Sequence, residues 1–242
     1  MTKASESAKR EALERVRAIG LAPKTVFDVG VATGTPGLYG IFPDVRYVMV
    51  EPLLESAPFM AQLVEQFPGS IAVHAAAGRQ PGEGEFVVNP GLSGSSFGLK
   101  PAAGQTRTVP ITTLDVIVRE HALEGPFLIK IDVQGFEMEV LAGAEETLKQ
   151  TDLLILEASL WGDVKRKGVV PKLLDLLNWL DGRGFVLYDI AQIVRRRLDS
   201  AITEMDLVFC PADSPLRKVT SYKSADQMDE AVAKRRKDFG LT

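Results

Sequence analysis

The sequence predicts an α/β fold with a mostly parallel sheet and helices on both faces. Short runs of β-branched and aliphatic residues alternate with segments of helical periodicity along the 242-residue chain, which is typical of right-handed crossovers between parallel strands. The last two predicted strands follow one another without a helix, so we expect the final strand to be antiparallel. Hydrophobic residues make up 45% and charged residues 25% of the chain, enough for one sizeable core.

Periodic apolar residues define the elements in the first part of the chain. Ala12, Val16 and Ile19 lie at helical spacing and predict an amphipathic N-terminal helix that ends near Gly20. The next predicted strands are residues 24–30, 46–50 and 71–74, and the helices between them are a short apolar one after residue 37 and an amphipathic one at 55–67.

The middle of the chain departs from this alternation. Strand-like segments at 86–89 and 106–111 flank a Gly/Ser-rich loop at 91–98. We therefore expect an inserted β-hairpin, at about residues 82–112, within one domain.

The alternation resumes after the insertion. The predicted strands are residues 127–131, 153–157, 185–188 and 206–209, and the predicted helices are residues 114–119, 137–149 and 170–180. The chain is thus expected to comprise an N-terminal helix (1–22), one α/β domain (23–215) and a polar C-terminal tail (216–242).

Composition and charge exclude several classes of function. With 28 Lys and Arg against 32 Asp and Glu, the formal net charge is −4, so the chain lacks the basic excess of a nucleic-acid-binding protein. The single cysteine, Cys210, excludes a disulfide framework and a Cys-rich metal site. The polar start, and the interruption of the most apolar run by Glu157, indicate a cytoplasmic protein without membrane contact.

Two strand ends carry a pattern suited to a nucleoside. The first strand ends in Asp28-x-Gly30-x-x-x-Gly34, and glycine at such a turn tightens the backbone and lets a ligand approach it. Glu51 ends the second strand about 20 residues later, at the spacing from which a carboxylate reaches the two hydroxyls of a ribose. Together the turn and Glu51 predict a nucleoside-binding site.

The glycine pattern also discriminates between nucleosides. A dinucleotide fingerprint that begins at Gly30 requires glycines where Ala32 and Thr35 stand. Asp28 would repel a pyrophosphate, whereas it suits the cationic amino and sulfonium groups of S-adenosylmethionine. We therefore expect S-adenosylmethionine rather than NAD as the cofactor.

A further strand end carries the most specific motif of the chain. Residues 130–137 read K-I-D-V-Q-G-F-E, and residues 141–144 read L-A-G-A. With the glycine turn, Glu51-Pro52 and the T-L-D segment at 113–115, these motifs resemble the FkbM family of S-adenosylmethionine-dependent methyltransferases. The family usually has Glu where this chain has Gln134.

The resemblance implies a class I methyltransferase (Rossmann-like) fold and methyl transfer to a hydroxyl of a sugar or a glycosylated natural product. It implies that Asp28 and Gly30 line the methionine part of the cofactor and that Glu51 holds the ribose. Ala76 and its small neighbours would lie beside the adenine. Ser95, in the Gly/Ser loop, would close over the cofactor or the acceptor, unless the loop is simply mobile.

Methyl transfer to an unactivated hydroxyl calls for a general base. Asp132 is the favoured candidate because its strand end faces the expected methyl group, with organisation of the cofactor as its alternative role. Glu157, at the next strand end, and His121 are further candidates, and Glu157 could equally orient the acceptor. A carboxylate cluster of Asp132, Glu157 and Asp115 is of the type that binds Mg²⁺, but no ligand spacing calls for a metal.

Three consecutive arginines, Arg195, Arg196 and Arg197, stand between the last two predicted strands. If the preceding strand is parallel, this connection leaves the sheet at the ligand edge. One hypothesis is contact with an anionic acceptor, such as a uronate or a phosphate-bearing glycan. The alternative is a solvated charge run in a loop.

The sequence therefore predicts an S-adenosylmethionine-dependent O-methyltransferase acting on a small-molecule or glycan hydroxyl. Gln134 keeps open a second interpretation, a catalytically silent cofactor-binding module in a biosynthetic assembly. A third, an NAD-dependent oxidoreductase, is disfavoured by the residues at 32 and 35.

Overall fold

The computed structural model describes residues 3–42, 44–89, 92, 94–97, 105–161 and 172–239. Within these residues the strands are β1 (Thr25–Val29), β2 (Arg46–Val50), β3 (Ile71–Val73), β4 (Ala76–Ala77), β5 (Gly82–Val88), β6 (Ser96–Phe97), β7 (Gln105–Thr112), β8 (Phe127–Ile131), β9 (Thr151–Ser159), β10 (Phe185–Arg195) and β11 (Ile202–Pro211). The helices are α1 (Lys3–Ala18), α2 (Ala57–Gln66), α3 (Leu114–Glu120), α4 (Glu137–Ala142), α5 (Glu145–Leu148), α6 (Leu173–Asp181) and α7 (Ala225–Asp238).

Seven strands form the central sheet, in the order β10-β11-β9-β8-β1-β2-β3. The pairs β1–β2, β2–β3, β1–β8 and β8–β9 are parallel, whereas β11 is antiparallel to both β9 and β10. The predicted mostly parallel α/β fold and its antiparallel final strand are therefore confirmed. The chain moves outward from β1 to β3 and then returns to β8 beside β1, so the strand order reverses at the carboxyl ends of β1 and β8. An open sheet binds ligands at such a reversal.

The insertion in the middle of the chain is a separate small sheet. Its order is β4-β7-β5-β6, and the antiparallel pair β5–β7 forms the expected hairpin. The short strands β4 and β6 extend this pair at its two edges, parallel to β7 and antiparallel to β5 respectively. Several residues of the predicted Gly/Ser loop lie outside the described residues.

Apolar side chains cover both faces of the central sheet. On one face, α1 contributes Ala12, Leu13 and Val16 to a cluster that includes Ile155 of β9 and Val208 of β11. On the other face, α3, α4 and α6 pack against the side chains of the opposite parity. Because successive strand residues alternate between faces, the parity of a residue decides which cluster it joins.

The structure differs from the predicted elements in three places. No helix follows β1: the described residues of 31–45 form turns, since Pro36 and the positive φ of Gly34 and Gly40 interrupt helical geometry. The predicted helix at 137–149 is divided into α4 and α5 at Gly143. The C-terminal tail contains α7, a helix with a capping box at Ser224 and no buried residue.

Residues 162–171 lie outside the described part of the chain, and they include the start of the helix predicted at 170–180. None of the helices in the described ranges combines the length and the apolar character needed to cross a membrane.

Candidate active site

A cleft of about 780 Å³ opens at the carboxyl ends of the central strands. This volume is in the range of pockets that hold small-molecule ligands and cofactors. The glycine turn after β1 and the end of β2 form one wall, and the segment after β8 forms the floor. The end of β10 and the start of β11 form the far wall. The inserted sheet covers the cleft with side chains that include Phe86 and Phe97.

Glu51 lies on the wall formed by β2 and is only 4% exposed. Its Oε2 accepts a hydrogen bond from the backbone N–H of Ala32 at 2.9 Å, and its Oε1 accepts one from Leu53 at 3.0 Å. Burial raises the pKa of Glu51, although the two N–H donors oppose that shift. Each carboxylate oxygen can accept a second hydrogen bond, so Glu51 retains the capacity to bind two vicinal hydroxyls.

The two glycines of the turn have a different role from the expected one. Gly30 and Gly34 have positive φ, at 80° and 101°. A Cβ on Gly30 would lie 2.0 Å from the backbone oxygen of Asp132, and a Cβ on Gly34 would lie 2.1 Å from the ring of Phe59. Both glycines line the cleft, but their missing side chains make room for neighbouring protein atoms rather than for a ligand.

Asp28 does not line the cleft, which corrects the expectation that it contacts the methionine part of a cofactor. Its side chain is fully buried behind the cleft wall. Tyr39 donates its hydroxyl hydrogen to Asp28 Oδ2, and Lys130 Nζ lies 3.0 Å from Asp28 Oδ1. Burial and the charge of Asp28 raise the pKa of Tyr39 far above its ordinary value, so the phenol remains a donor.

Lys130 connects Asp28 to the floor of the cleft. Its Nζ donates to the backbone oxygen of Gly30 at 3.1 Å and lies 3.7 Å from Asp132 Oδ2. Burial alone would lower the pKa of Lys130, but the charges of Asp28 and Asp132 outweigh it and raise the pKa. Lys130 is therefore a buried cation held between two strand ends.

On the floor of the cleft, Gln134 joins two carboxyl groups. Its Nε2 donates to Asp132 Oδ1 at 3.0 Å and to Glu157 Oε2 at 2.6 Å. Gln134 has a φ of 57°, a left-handed conformation that is unfavourable for a residue with a side chain. The strand-end reasoning thus placed Asp132 and Glu157 together, but it did not identify the residue that bridges them.

The two carboxyl groups differ in proton affinity. Burial tends to raise the pKa of Asp132, but Lys130 and the hydrogen bond from Gln134 outweigh it and hold the pKa below its usual range. Burial, followed by the charges of Asp132 and Glu204, raises the pKa of Glu157 well above its usual range. The pKa of Asp132 is thus shifted towards the ionised form and the pKa of Glu157 towards the protonated form, so Asp132 loses its proton before Glu157 as the pH rises.

Ala76 and Ser95 both lie on the cleft wall. Ala76 packs with Leu53, Phe86 and Phe97 in the apolar cluster of the inserted sheet. Ser95 Oγ donates to the backbone oxygen of Leu92 at 2.5 Å and accepts from the backbone N–H of Asn89 at 3.0 Å. Its hydroxyl therefore organises the described part of the loop.

Of the three arginines, the structure brings only Arg195 to the cleft. Its Nη1 donates to the backbone oxygen of Ser200 at 2.9 Å. Arg196 instead makes two hydrogen bonds of 2.6 Å with Asp199, and its guanidinium lies 4.7 Å from the centre of the Trp161 ring. Arg197 is exposed and does not line the cleft. The hypothesis of an acceptor contact within the cleft therefore depends on Arg195.

Two other sequence candidates lie away from the cleft. His121 is exposed at the end of α3, shortly before β8 begins, which is the opposite edge of the sheet. Asp115 accepts hydrogen bonds from the backbone of Glu146 and Thr147 at the start of α5. His121 is therefore excluded as the base, and Asp115 does not join a carboxylate cluster. Across the residues that the structure describes, no group of three His, Cys, Asp or Glu side chains is arranged to hold a metal ion.

Sequence reasoning missed the far wall of the cleft. Gln192 on β10 and Glu204 on β11 line it together with Arg195. The sequence predicted shorter strands at 185–188 and 206–209, and the observed strands extend this hairpin to the cleft. Aromatic and aliphatic residues recur from Tyr188 to Val194 without strict alternation, which was a weak signal for a longer strand.

The donor set of the cleft fits S-adenosylmethionine. Glu51 offers two carboxylate oxygens, while Ala76 and Phe86 offer an apolar wall next to it. The ionised Asp132 complements a cationic group on the floor.

Solved structures similar to the chain include several methyltransferases. A precorrin-6y C5,15-methyltransferase from Geobacter metallireducens is 12% identical, with a TM-score of 0.44 over 83% of this chain and 84% of that one. Aeropyrum pernix fibrillarin, in complex with natively bound S-adenosyl-L-methionine, is 13% identical, with a TM-score of 0.45 over 84% and 76% of the two chains. A putative RNA methyltransferase from Pyrococcus horikoshii is 13% identical, with a TM-score of 0.45 over 85% and 82%.

Sequence comparison gives a more specific result. No curated protein matches the chain. Residues 42–187 match the model of the methyltransferase FkbM domain, and this segment runs from before β2 to the start of β10. It includes Glu51, the inserted sheet and the Asp132–Gln134–Glu157 cluster. Since the match covers more than half of the chain, the protein belongs to the FkbM family of S-adenosylmethionine-dependent methyltransferases.

Proposed function

We propose that the protein transfers a methyl group from S-adenosylmethionine to a hydroxyl of a sugar or a glycosylated natural product. The observation that carries this proposal is the carboxyl pair on the cleft floor, in which Gln134 bridges Asp132 and Glu157 and the pKa of Asp132 is lowered while that of Glu157 is raised. Transfer to a neutral hydroxyl requires a proton acceptor next to the reacting oxygen, and this pair supplies one.

In this proposal Glu51 holds the ribose hydroxyls, and the backbone of the glycine turn lies along the methionine part. Ala76 and the neighbouring Phe86 form the surface for the adenine. When bound, the cofactor supplies an electrophilic methyl group on a cationic sulfur. The ionised Asp132 at the cleft floor favours that positive charge.

Asp132 is the proposed proton acceptor. Lys130 and Gln134 hold its carboxylate from two sides, at 3.7 Å and 3.0 Å. The low pKa of Asp132 makes it a weak base, so its contribution comes from position next to the acceptor oxygen. Glu157, whose raised pKa favours the protonated form, is placed to hydrogen-bond with the acceptor and orient it.

The polar far wall supports a hydroxyl-rich acceptor. Gln192, Arg195 and Glu204 present amide, guanidinium and carboxylate groups to the cleft. Such planar groups form paired hydrogen bonds with adjacent hydroxyls. Arg195 is the side chain through which an anionic group on the acceptor would be held.

Asp132→Asn tests the proposal directly. Because the amide cannot accept the proton, we expect methyl transfer from labelled S-adenosylmethionine to a glycan panel to fall about 10²- to 10⁴-fold. Calorimetry should show a much smaller loss of cofactor affinity, because the carboxylate also faces the cationic sulfur but Glu51 is unaffected. Asp213→Asn, at an exposed position, is the matched control.

Two results would contradict the proposal. One is an Asp132→Asn variant that transfers methyl groups at the wild-type rate. The other is a wild-type protein that binds S-adenosylmethionine but methylates no hydroxyl, which would favour a catalytically silent cofactor-binding module.

A further inference from the structure

A buried ion pair links the N-terminal helix to the central sheet near the cleft. Lys9 Nζ of α1 lies 2.9 Å from Asp206 Oδ2 of β11. The side chains of Lys9 and Asp206 are only 3% and 9% exposed. Both residues lie outside the segment that matches the FkbM domain, and neither lines the cleft.

The register of the sheet places this ion pair beside the carboxyl pair. Asp206 is the cross-strand partner of Glu157 in the antiparallel pair β11–β9. Directly opposed residues in such a pair have Cβ atoms about 5 Å apart. Asp206 shares its parity with Val208, and Glu157 shares its parity with Ile155, so both project to the face covered by α1.

A row of ionisable side chains therefore crosses one face of the sheet. In strand order it consists of Asp28 on β1, Lys130 on β8, Asp132 after β8, Glu157 on β9 and Asp206 on β11, with Lys9 reaching the last of them from α1. The two lysines of this row, Lys130 and Lys9, lie on opposite sides of the Asp132–Glu157 pair. Lys130 contacts the pair directly, whereas Lys9 acts on it from the other side.

Stability alone does not explain the ion pair. Replacing a buried ion pair by apolar side chains of similar volume is often neutral or stabilising. Around Lys9, α1 packs through Ala12, Leu13 and Val16, and the same surface could be closed with one more apolar residue. What Lys9 and Asp206 add at this position is a pair of opposite charges beside the proposed catalytic carboxyls.

We propose that Lys9 is a positioning residue of the methyl-transfer site, which acts through Asp206 to set the proton affinity of the Asp132–Glu157 pair. The proposal rests on the proposed function of that pair. Lys9 neutralises Asp206 and so keeps a third negative charge from acting unopposed on Glu157. It also extends the positive potential that keeps Asp132 ionised.

Every element around the pair contributes a charged or polar group. The Lys130 cation, the Gln134 amide and, more weakly, the Lys9 cation lower the pKa of Asp132 against the effect of burial. Beyond burial and Asp132, the groups that raise the pKa of Glu157 are Glu204 and Asp206 on β11 and Glu137 on α4. Arg195 lines the cleft at the end of β10, and Asp28 faces the pair across Lys130.

Three variants test the proposal through the sign of their effects. Lys9→Met leaves the charge of Asp206 unopposed, so the titration midpoints of the carboxyl pair should rise by about half a pH unit or more. Asp206→Asn leaves the Lys9 cation in excess, so the midpoints should fall. The double variant Lys9→Met/Asp206→Asn removes both charges and should return them close to the wild-type values.

Carbon-13 NMR of labelled aspartate and glutamate carboxyls measures these midpoints without cofactor or acceptor. Asp132→Asn and Glu157→Gln assign the two signals. The pH at which methyl transfer reaches half its maximum should move in the same direction as the NMR midpoints. Lys24→Met, which removes an exposed lysine paired with Glu124, is the control and should shift neither.

Opposite shifts in the two single variants would support the proposal, because a merely structural ion pair would lower the melting temperature without that pattern. Equal midpoints in all folded variants, or shifts of the same sign in both single variants, would overturn it. If the single variants do not fold, a double variant whose midpoints differ from the wild type by more than about half a pH unit would overturn it. Absence of methyl transfer by the wild type would contradict the proposed function, while the NMR titration would still decide the role of Lys9.

Discussion

At the scale of single residues, Glu51 shows how a carboxylate that lines the cleft also maintains its wall. Its two carboxylate oxygens accept the backbone N–H groups of Ala32 and Leu53, which belong to the turns on either side of the cofactor cleft. Removing the carboxylate would therefore leave two backbone donors unsatisfied in a site that is only partly open to water. In the proposed function the same carboxylate also holds the ribose hydroxyls.

Glu51→Gln separates these two roles. The amide can accept one of the two N–H bonds but not both, so we expect S-adenosylmethionine affinity in calorimetry to fall about tenfold or more. The free energy of unfolding should fall by about 1–2 kcal/mol in urea denaturation. Glu83→Gln, at an exposed position on β5, is the control. Unchanged cofactor affinity in Glu51→Gln would show that Glu51 does not hold the ribose. Tight binding of NAD by the wild type, without binding of S-adenosylmethionine, would contradict the proposed cofactor.

Gln134 stands where the resemblance to the FkbM family implies a glutamate. A glutamate there would add a third carboxyl group to Asp132 and Glu157. The amide instead donates to both of them, and it does so from a left-handed backbone conformation. Such conformations cost of the order of 1 kcal/mol and persist where the surroundings hold them, as they do at this carboxyl pair.

At the scale of elements, Gly143 is required by the contact between α4 and the inserted sheet. A Cβ at this position would lie 2.0 Å from the backbone oxygen of Gly78, and Gly78 in turn donates to Thr112 of β7. The L-A-G-A motif at 141–144 therefore contains a glycine because two backbones meet there. This contact holds the roof of the cleft against its floor.

Gly143→Ala should disrupt the contact between α4 and the inserted sheet. Because the obstructing atom is backbone and cannot rotate away, we expect a loss of about 2 kcal/mol or more in the free energy of unfolding, measured by urea denaturation. Gly82→Ala is the matched control, since a Cβ on Gly82 meets no atom within 4 Å. Equal stabilities of the two variants would show that the contact at Gly78 is not required.

The β10–β11 hairpin illustrates a limit of local pattern recognition. Its strands were predicted from short apolar runs, whereas paired residues extend from Phe185 to Arg195 and from Ile202 to Pro211. The added length consists of mixed polar and apolar residues that only become a strand when a partner is available. Because that added length forms the far wall of the cleft, the site predicted from the sequence lacked Gln192 and Glu204.

At the scale of the whole molecule, the buried carboxyl groups determine how stability depends on pH. Burial raises the pKa of Glu137 to about 7, against the opposing hydrogen bond from the Gly135 N–H. The pKa values of Glu51 and Glu157 are also raised. A group that binds its proton more tightly when folded stabilises the protein below its unfolded pKa, and this contribution is lost as the pH rises through the folded value.

We therefore expect the free energy of unfolding to fall between about pH 4.5 and pH 7. Glu137→Gln removes one ionisation and can keep the hydrogen bond from Gly135, so it should gain about 2–3 kcal/mol relative to wild type at pH 8 and little at pH 4.5. Urea denaturation at the two pH values measures this difference. A Glu137→Gln variant whose relative stability is independent of pH would show that Glu137 is already ionised at pH 7.

The sequence by itself determined the fold class, the strand ends that meet at the cleft and the family. The alternation of strand residues and the residues of a turn can be recognised from neighbouring positions in the sequence. Because the carboxyl ends of parallel strands lie at one edge of a sheet, Glu51, Asp132 and Glu157 could be placed together from the sequence. Only the tertiary structure decided which side chains face the cleft. It buried Asp28 against Tyr39 and Lys130, turned Arg196 towards Asp199, and paired Lys9 with Asp206. These partners are far apart in sequence or depend on competing local contacts, and a buried charge takes its partner from whichever element the packing places beside it.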